Sequence, residues 1–287
     1  MSLEDYLKER HTEKTAEAYR REIEAYLQSF PKARAAVYQD ITAYLGTLRK
    51  RYSNPKTLNR ILCSIKAYYD YLNYTGKRKD NPARSIFLRD NTSRDIQLQD
   101  LFTEKELESL LERKERYNLL TYRNRVLTSL LIYQALLPTE LENLTVNEIN
   151  LNQGTVYIKG TSKTNARELP LKPGQIMLFN QYMNEVRPEL LKGSLAQSLL
   201  IGSRGEPMKG EDITRHVKRS FKGKFKGRNV NVTTIRQSVI TNLLKSGKDL
   251  RIVQVFAGHK YPGTTEKYKQ TNEEALKTAI QSYHPIR

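Results

Sequence analysis

The sequence predicts a mainly α-helical protein with two domains and one small β-sheet. Apolar residues recur at helical spacing through most of the 287 residues. Alternation of apolar and polar residues, which is typical of β-strands, is convincing only between residues 155 and 171. A polar stretch at residues 89–100 interrupts the helical pattern. We therefore predict an N-terminal helical domain at 1–88, a linker at 89–100 and a larger C-terminal domain at 101–287.

The N-terminal domain is predicted to contain four helices. Ser2 and Thr12 are suitable caps for the first two, because their hydroxyls can accept a hydrogen bond from a backbone N–H of the first turn. Proline is favoured at the first helical position, so Pro55 starts the fourth helix, and Gly76 can end it. The predicted helices span residues 2–10, 12–30, 38–51 and 55–75.

The C-terminal domain is predicted to be mostly helical around a β-hairpin. Its strands are Thr155–Lys159 and Arg167–Leu171, and the polar loop between them carries Lys163. Capping boxes at Thr103-x-x-Glu106 and Thr271-x-x-Glu274 each open a helix, the second at the C-terminal end of the chain. Further helices are predicted at 126–137, 175–191, 211–221 and 235–244.

A strong excess of positive charge predicts a polyanionic partner. The chain has 49 Lys and Arg against 31 Asp and Glu, a net charge of +18. Residues 1–95 carry 19 basic and 12 acidic residues and the remainder 30 and 19, so both domains are basic. Nucleic acid is the first candidate; a basic protein without such a partner is the alternative. The candidate phosphate contacts are Arg49, Lys50, Arg51, Lys77, Arg78, Lys79, Lys222, Lys224 and Lys226.

Other features of the composition indicate a cytoplasmic protein. Cys63 is the only cysteine, so an intrachain disulfide is impossible. The N-terminus has no pattern of a secretory signal, and no apolar run approaches the ~20 residues of a membrane span. No cluster of Cys and His suggests a zinc site. We expect no metal, no cofactor and no membrane partner.

Three short segments near the C-terminus carry a recognisable pattern. Arg236 opens a helix-like run, Ala257-Gly258-His259 follows it, and Thr264-Thr265-x-x-Tyr268 comes last. The pattern resembles the C-terminal active-site block of the tyrosine recombinases, the phage-type integrases and Xer-type resolvases. That family has an arginine opening a helix, a Leu-Gly-His turn and a Thr-Thr-x-x-Tyr nucleophile. The resemblance is specific because separate anchors fall at compatible spacing.

The resemblance implies a site for cutting and rejoining DNA. Tyr268 would attack phosphorus and form a 3′-phosphotyrosyl link, since such a link conserves the energy needed for religation. Arg236 would hold the transferring phosphate, and His259 would bind the same oxygens or assist proton transfer. Lys163 matches the β-hairpin lysine that protonates the departing 5′ oxygen. Without the other anchors, an exposed turn lysine would be the simpler interpretation of Lys163.

The resemblance also implies the architecture and partners of a site-specific recombinase. The four-helix domain matches the family's core-binding domain, and the second domain its catalytic domain. The implied partner is double-stranded DNA with inverted-repeat core sites, with accessory DNA-bending proteins in some systems. A homotetramer that exchanges its C-terminal helices would recombine two sites through a Holliday junction. A mobile genetic element and the bacterial cytoplasm or nucleoid are the implied setting.

Two positions depart from the family pattern. The family's Gly-Leu-Arg-x-x-Glu-Leu motif corresponds to Ala135–Leu141, which places Leu137 where arginine is expected. Thr233 stands where histidine is common and could instead cap its helix. Either another cation, Arg167 or Lys159, fills the gap, or the protein binds DNA but cuts it poorly. Two rival functions stay open, a DNA-binding regulator on a degenerate recombinase scaffold and a monomeric type IB topoisomerase.

Overall fold

The computed structural model describes residues 1–90 and 101–269, which form two compact units. Apart from its first two residues, the predicted linker at 89–100 lies outside the described residues. The predicted C-terminal helix opened by Thr271 also lies outside them. None of the helices in the described ranges is long and apolar enough to cross a bilayer.

The N-terminal unit contains the four predicted helices. Ser2 caps the first through a hydrogen bond from the Asp5 backbone N–H to the Ser2 hydroxyl. Pro55 occupies the first turn of the fourth helix, and Gly76 follows that helix with a left-handed φ of +68°. The helices are α1 (Leu3–Arg10), α2 (Glu13–Ser29), α3 (Tyr38–Arg51) and α4 (Pro55–Tyr74).

A tyrosine pair lies at the centre of this unit. Tyr26 on α2 and Tyr69 on α4 are fully buried, and their hydroxyl oxygens are 2.7 Å apart. The Tyr69 hydroxyl also donates to the Ala33 carbonyl at 2.8 Å. Both buried hydroxyls therefore have hydrogen-bond partners, as burial of polar groups requires.

The C-terminal unit is helical around a three-stranded antiparallel sheet. The strands follow the order β1 (Ile149–Asn150), β2 (Thr155–Ile158) and β3 (Arg167–Pro170), with Val156 opposite Leu169. The β2–β3 hairpin confirms the prediction, whereas β1 was missed because it is only two residues long. The helices are α5 (Glu104–Glu108), α6 (Asn118–Tyr133), α7 (Pro138–Asn143), α8 (Pro173–Gln181), α9 (Arg187–Leu191), α10 (Gly210–Ser220), α11 (Val232–Lys245), α12 (Leu250–Ala257) and α13 (Pro262–Lys269).

The central helix α6 differs from its prediction at both ends. It spans Asn118–Tyr133 instead of 126–137. Ala135 takes a positive φ of +51°, which ends the helical path, and Pro138 then starts α7. The turn between α6 and α7 lies in the stretch that departs from the family motif, and it turns the Ala135 carbonyl towards α11. Local sequence could not reveal this end, because the partner of that carbonyl lies 101 residues further along the chain.

Candidate active site

Arg236 extends from the second turn of α11 into the interior of the C-terminal unit. Asn231 caps this helix by accepting a hydrogen bond from the Thr234 backbone N–H, so Thr233 does not have the capping role that was its alternative interpretation. The Arg236 Nη1 donates to the Ala135 carbonyl, and Nη2 donates to the Ala257 carbonyl at 2.6 Å. Burial lowers the pKa of the guanidinium. Arg236 is thus held by main-chain dipoles and keeps a charge that its hydrogen bonds do not neutralise.

His259 is fixed in place at the end of α12. Gly258 ends the helix with a φ of +68°, and the His259 backbone N–H donates to Gln254 O at 3.0 Å. The Nδ1 of its buried imidazole lies 2.8 Å from the Thr265 hydroxyl. Burial and the nearby charge of Arg236 lower the pKa of His259 to about 4. The imidazole is therefore neutral near pH 7.

Tyr268 lies on α13, one helix after the histidine. Its ring stacks on that of His259 with the centroids 6.0 Å apart and the planes 16° apart. Burial raises the pKa of the Tyr268 hydroxyl, although the nearby Arg236 guanidinium opposes the shift. The phenol is therefore protonated near pH 7, so any attack by its oxygen requires an acceptor for the proton.

The hairpin loop brings Lys163 next to the histidine turn. Thr164 forms a β-bridge with His259, and the Asn165 backbone N–H donates to Gly258 O at 2.8 Å. The Lys163 side chain is exposed. These backbone contacts join the loop to the segment carrying His259 and leave the lysine side chain at the surface.

Arg167 and Glu140 form a buried ion pair beside Leu137. The Arg167 Nη1 and Nη2 donate to the two Glu140 carboxylate oxygens at 2.7 and 3.1 Å. Their side chains are 2% and 0% exposed. Glu140 also accepts from the Leu137 backbone N–H at 2.8 Å. Burial alone would raise the pKa of Glu140, but hydrogen bonds and charge from Arg167 outweigh it and lower that pKa.

Arg167 also contacts the turn that precedes His259. Its Nε donates to the Phe256 carbonyl at 2.8 Å. A Cβ at Gly258 would lie 2.6 Å from Arg167 Nη1, so only glycine fits there. The other predicted replacement cation, Lys159, forms an ion pair with Glu148 at 2.6 Å instead.

The basic residues predicted to bind phosphates differ in how they are held. Arg49 forms a bidentate pair with Asp90 at 2.7 and 2.9 Å. Arg78 pairs with Asp80 at 2.7 Å, and Lys224 donates to the Ser109 carbonyl at 3.2 Å. The remaining candidates are exposed at the surface: Lys50, Arg51, Lys77, Lys79, Lys222 and Lys226.

Three residues of this site were not identified as site residues from the sequence. Glu140 served only to align the motif, and its partner Arg167 lies 27 residues further along the chain. Thr265 lies within the Thr-Thr-x-x-Tyr segment, and Thr164 donates to Glu140 Oε1 at 2.9 Å. No group of three or more His, Cys, Asp or Glu side chains in residues 1–90 and 101–269 has the arrangement of a metal site.

The arrangement of helices and the convergence of Arg236, His259 and Tyr268 define a tyrosine recombinase. The sequence profile of the phage integrase family matches residues 100–275, and that of its N-terminal SAM-like domain matches residues 2–76. The chain therefore belongs to the phage integrase family and is a site-specific DNA recombinase, an enzyme of DNA strand exchange.

Curated relatives and solved structures agree with this membership. The tyrosine recombinase XerD of Staphylococcus saprophyticus subsp. saprophyticus is 26% identical over 293 residues, covering 99% of this chain and 98% of the relative. XerD of Staphylococcus aureus (strain Mu50) is 27% identical over 295 residues with the same coverage.

Two solved structures share the fold at lower identity. A lambda integrase dimer bound to a core site aligns with a TM-score of 0.69 and 17% identity, covering 93% of this chain and 92% of that one. XerH bound to a palindromic difH substrate aligns with a TM-score of 0.67 and 20% identity, covering 85% and 72%.

Proposed function

We propose that this recombinase cuts and rejoins double-stranded DNA through a 3′-phosphotyrosyl bond at Tyr268. The observation that carries the proposal is the stacking of Tyr268 on His259 beside the buried Arg236. Three segments of the chain contribute these groups, and a phenol, an imidazole and a guanidinium together supply a nucleophile, a proton acceptor and fixed positive charge. Electrostatic stabilisation of this type is usually the largest contribution to catalysis.

The proposed reaction assigns each proton to a named group. The Tyr268 oxygen bonds to phosphorus as the bond from phosphorus to the 5′ oxygen breaks. The neutral His259 imidazole takes the phenolic proton, and the Lys163 ammonium gives a proton to the 5′ oxygen, which leaves as a hydroxyl. Arg236 donates hydrogen bonds to the non-bridging oxygens, where charge develops. Religation reverses these steps, with the 5′-hydroxyl of the partner strand as nucleophile.

We assign Arg167 a positioning role instead of a direct contact with phosphate. Its Nη1 and Nη2 donate to Glu140 and its Nε to Phe256 O, so a bidentate phosphate contact would require the ion pair to break. Arg167 lies on β3, and its hydrogen bonds to Glu140 and Phe256 connect this strand to α7 and to the end of α12. It therefore supports the turn that presents His259 and partly offsets the absence of an arginine at Leu137.

We also propose that two sites are joined by four protomers. The palindromic substrate of XerH and the core-site dimer of lambda integrase support inverted-repeat sites for this chain too. Exchange of the segment after Tyr268 between neighbours would complete the assembly, with strand exchange through a Holliday junction. The setting that this implies is the bacterial nucleoid.

A suicide substrate with a nick beside the cleavage position tests the nucleophile. After the cognate site is found by binding selection, the wild type should form a covalent adduct that survives denaturation. Tyr268→Phe should form none and still bind the DNA. Tyr261→Phe is the matched control, because Tyr261 is 73% exposed and only seven residues away.

The rival functions give different results in this experiment. An adduct that persists in Tyr268→Phe would contradict the assignment of the nucleophile. A regulator would bind the verified site without forming any adduct in the wild type. A type IB topoisomerase would relax supercoiled plasmids irrespective of whether they carry the site.

A further inference from the structure

A cationic cavity whose lining includes none of the proposed catalytic residues lies in the C-terminal unit. It has a volume of about 350 Å³ and is bounded by α10 and the segment that precedes this helix. We refer to it as the arginine pocket, and its basic residues are Arg123, Arg204, Arg215, His216 and Arg219.

The inner wall of the arginine pocket carries a buried charge. Arg123 is 6% exposed, and its guanidinium donates to the Asn124 side-chain oxygen at 2.8 and 3.0 Å and to the Ile201 carbonyl at 3.2 Å. It forms no ion pair within residues 1–90 and 101–269. The carboxylate of Glu115 acts on this charge without a direct hydrogen bond, because Asn124 lies between them and donates to Glu115 at 3.1 Å. Burying a guanidinium that has no directly bonded carboxylate is costly, and an anion in the adjoining cavity would offset part of that cost.

Acidic residues at the rim do not neutralise the arginine pocket. The carboxylates of Glu206 and Asp212 line it, and Asp212 is already paired with Arg215 at 2.9 Å. Arg204 and Arg219 are exposed and form no ion pair with any residue that the structure describes. Burial and the charge of Arg123 lower the pKa of His216 to about 4, which is consistent with a local excess of positive charge. Four arginines thus face two carboxylates.

The arginine pocket is connected to α7, the helix that carries Glu140 of the candidate active site. Helix α10 begins beside α7, since the Gly210 backbone N–H donates to the Glu142 carboxylate at 2.9 Å. Arg219 is nine residues further along α10, or about 13 Å at the rise of an α-helix. A DNA duplex rises about 3.4 Å for each nucleotide of one strand, so a duplex that occupies the candidate active site extends well beyond this length.

We propose that the arginine pocket binds a backbone phosphate of the recombining duplex, at a position other than the phosphate that Tyr268 attacks. The inference depends on DNA being the substrate in the proposed function. A phosphodiester fits better than a free nucleotide, because no Phe, Tyr or Trp among the described lining residues offers a surface for a base to stack on. Arg123 forms the floor of this site, while Arg204 and Arg219 contact the phosphate from the rim.

The salt dependence of DNA binding tests this proposal without requiring cleavage. In a Tyr268→Phe background, anisotropy titrations of a 30-base-pair duplex between 50 and 200 mM salt give the slope of log K against log salt. Arg204→Gln/Arg219→Gln should reduce the magnitude of that slope by about 0.9 for each phosphate that the protein no longer neutralises. Both side chains are exposed, so thermal unfolding should be unchanged. The matched control is Lys105→Gln/Lys218→Gln, which removes two exposed cations outside the arginine pocket.

Single methylphosphonate substitutions along the cognate site then locate the contact. One neutral linkage, at the phosphate that the arginine pocket binds, should weaken binding by the parent protein and by the control variant. The same linkage should have no effect on the double-glutamine variant. An unchanged slope, or equal sensitivity of all three proteins to every linkage, would overturn the proposal.

Inorganic phosphate distinguishes DNA from a small anion as the ligand. In one outcome, millimolar phosphate raises the melting temperature of the parent but not of Arg204→Gln/Arg219→Gln, and the salt slope of DNA binding is the same for both proteins. That outcome would show a site for a small anion and would overturn the DNA assignment. Failure of the phosphotyrosyl reaction would leave these binding results unaffected, so the two proposals fail separately.

Discussion

The two units of this recombinase differ in what their cores contain. Within residues 1–90 the buried side chains are apolar apart from Ser64 and tyrosine hydroxyls. Within residues 101–269 the interior holds several charged groups, and arginines outnumber carboxylates. These are Arg123, Glu140, Arg167, Arg187 and Arg236.

We infer that this difference separates a core that serves stability alone from one that also supports anion binding. Buried charges rarely add stability, because the desolvation penalty is as large as the attraction between them. Arg167 has a carboxylate partner and serves the fold, whereas Arg236 and Arg123 are held by carbonyl or amide oxygens. A guanidinium that donates only to neutral dipoles keeps its charge for a phosphate. We infer that the excess of buried arginine in the second unit is retained for function.

Breaking the buried pair of Arg167 and Glu140 should produce the largest loss of stability. Arg167→Met leaves Glu140 buried without its cation, which should cost about 3–5 kcal/mol of unfolding free energy. Glu140→Leu/Arg167→Met removes both charges and should recover most of that loss in urea unfolding. Cleavage of saturating DNA should nevertheless stay impaired in the double variant, because the hydrogen bond to Phe256 O is absent.

Two measurements on the double variant separate positioning from simple stabilisation. If Arg167 only stabilises the fold, recovery of stability would be accompanied by recovery of the cleavage rate. If it binds phosphate directly, the affinity for DNA would fall as well. Positioning predicts a reduced cleavage rate with an unchanged dissociation constant.

Lowering the pH should destabilise the second unit through the buried His259 and the partly buried His216. The pKa of folded His259 is about 4, below its unfolded value of about 6.5, so the unfolded chain binds more protons between these limits. Stability is therefore complete above about pH 6.5 and falls towards pH 4. Between pH 7.5 and pH 5, His259 should account for a loss of about 2 kcal/mol.

Histidine variants should assign this loss to the second unit. His259→Asn should reduce the pH dependence of urea unfolding, and His216, whose pKa is also about 4, should account for a similar share. His11→Asn is the control in the N-terminal unit. A pH dependence that survives both the His216 and His259 substitutions would contradict the explanation.

The sequence revealed those features whose determinants lie close together in the chain. Ser2, Pro55 and Gly76 act on their own helices, so the four N-terminal helices were predicted with accurate ends. The hairpin follows from alternation within two short strands. Arg236, His259 and Tyr268 were found together because short motifs of residue type and spacing mark each of them.

Features that depend on distant contacts could not be predicted in this way. The end of α6 depends on Ala135, whose carbonyl accepts from Arg236, 101 residues away. Arg167 was considered as a replacement phosphate ligand because it is near Lys163 in sequence. Only the folded chain shows that Glu140, 27 residues away, occupies its guanidinium.

The smallest effect is expected from the neutral pair in the N-terminal core. Tyr69→Phe removes a hydroxyl that donates to Ala33 O and lies 2.7 Å from the Tyr26 hydroxyl. The cost should be about 1 kcal/mol in urea unfolding, the usual net value of a buried neutral hydrogen bond. Because no charge is left without a partner, the loss should be the same at pH 5 and pH 7.5, and covalent trapping of DNA should be unaffected. If Tyr69→Phe lost as much unfolding free energy as Arg167→Met, the charged core of the second unit would be no more sensitive to a broken polar contact than the neutral core of the first.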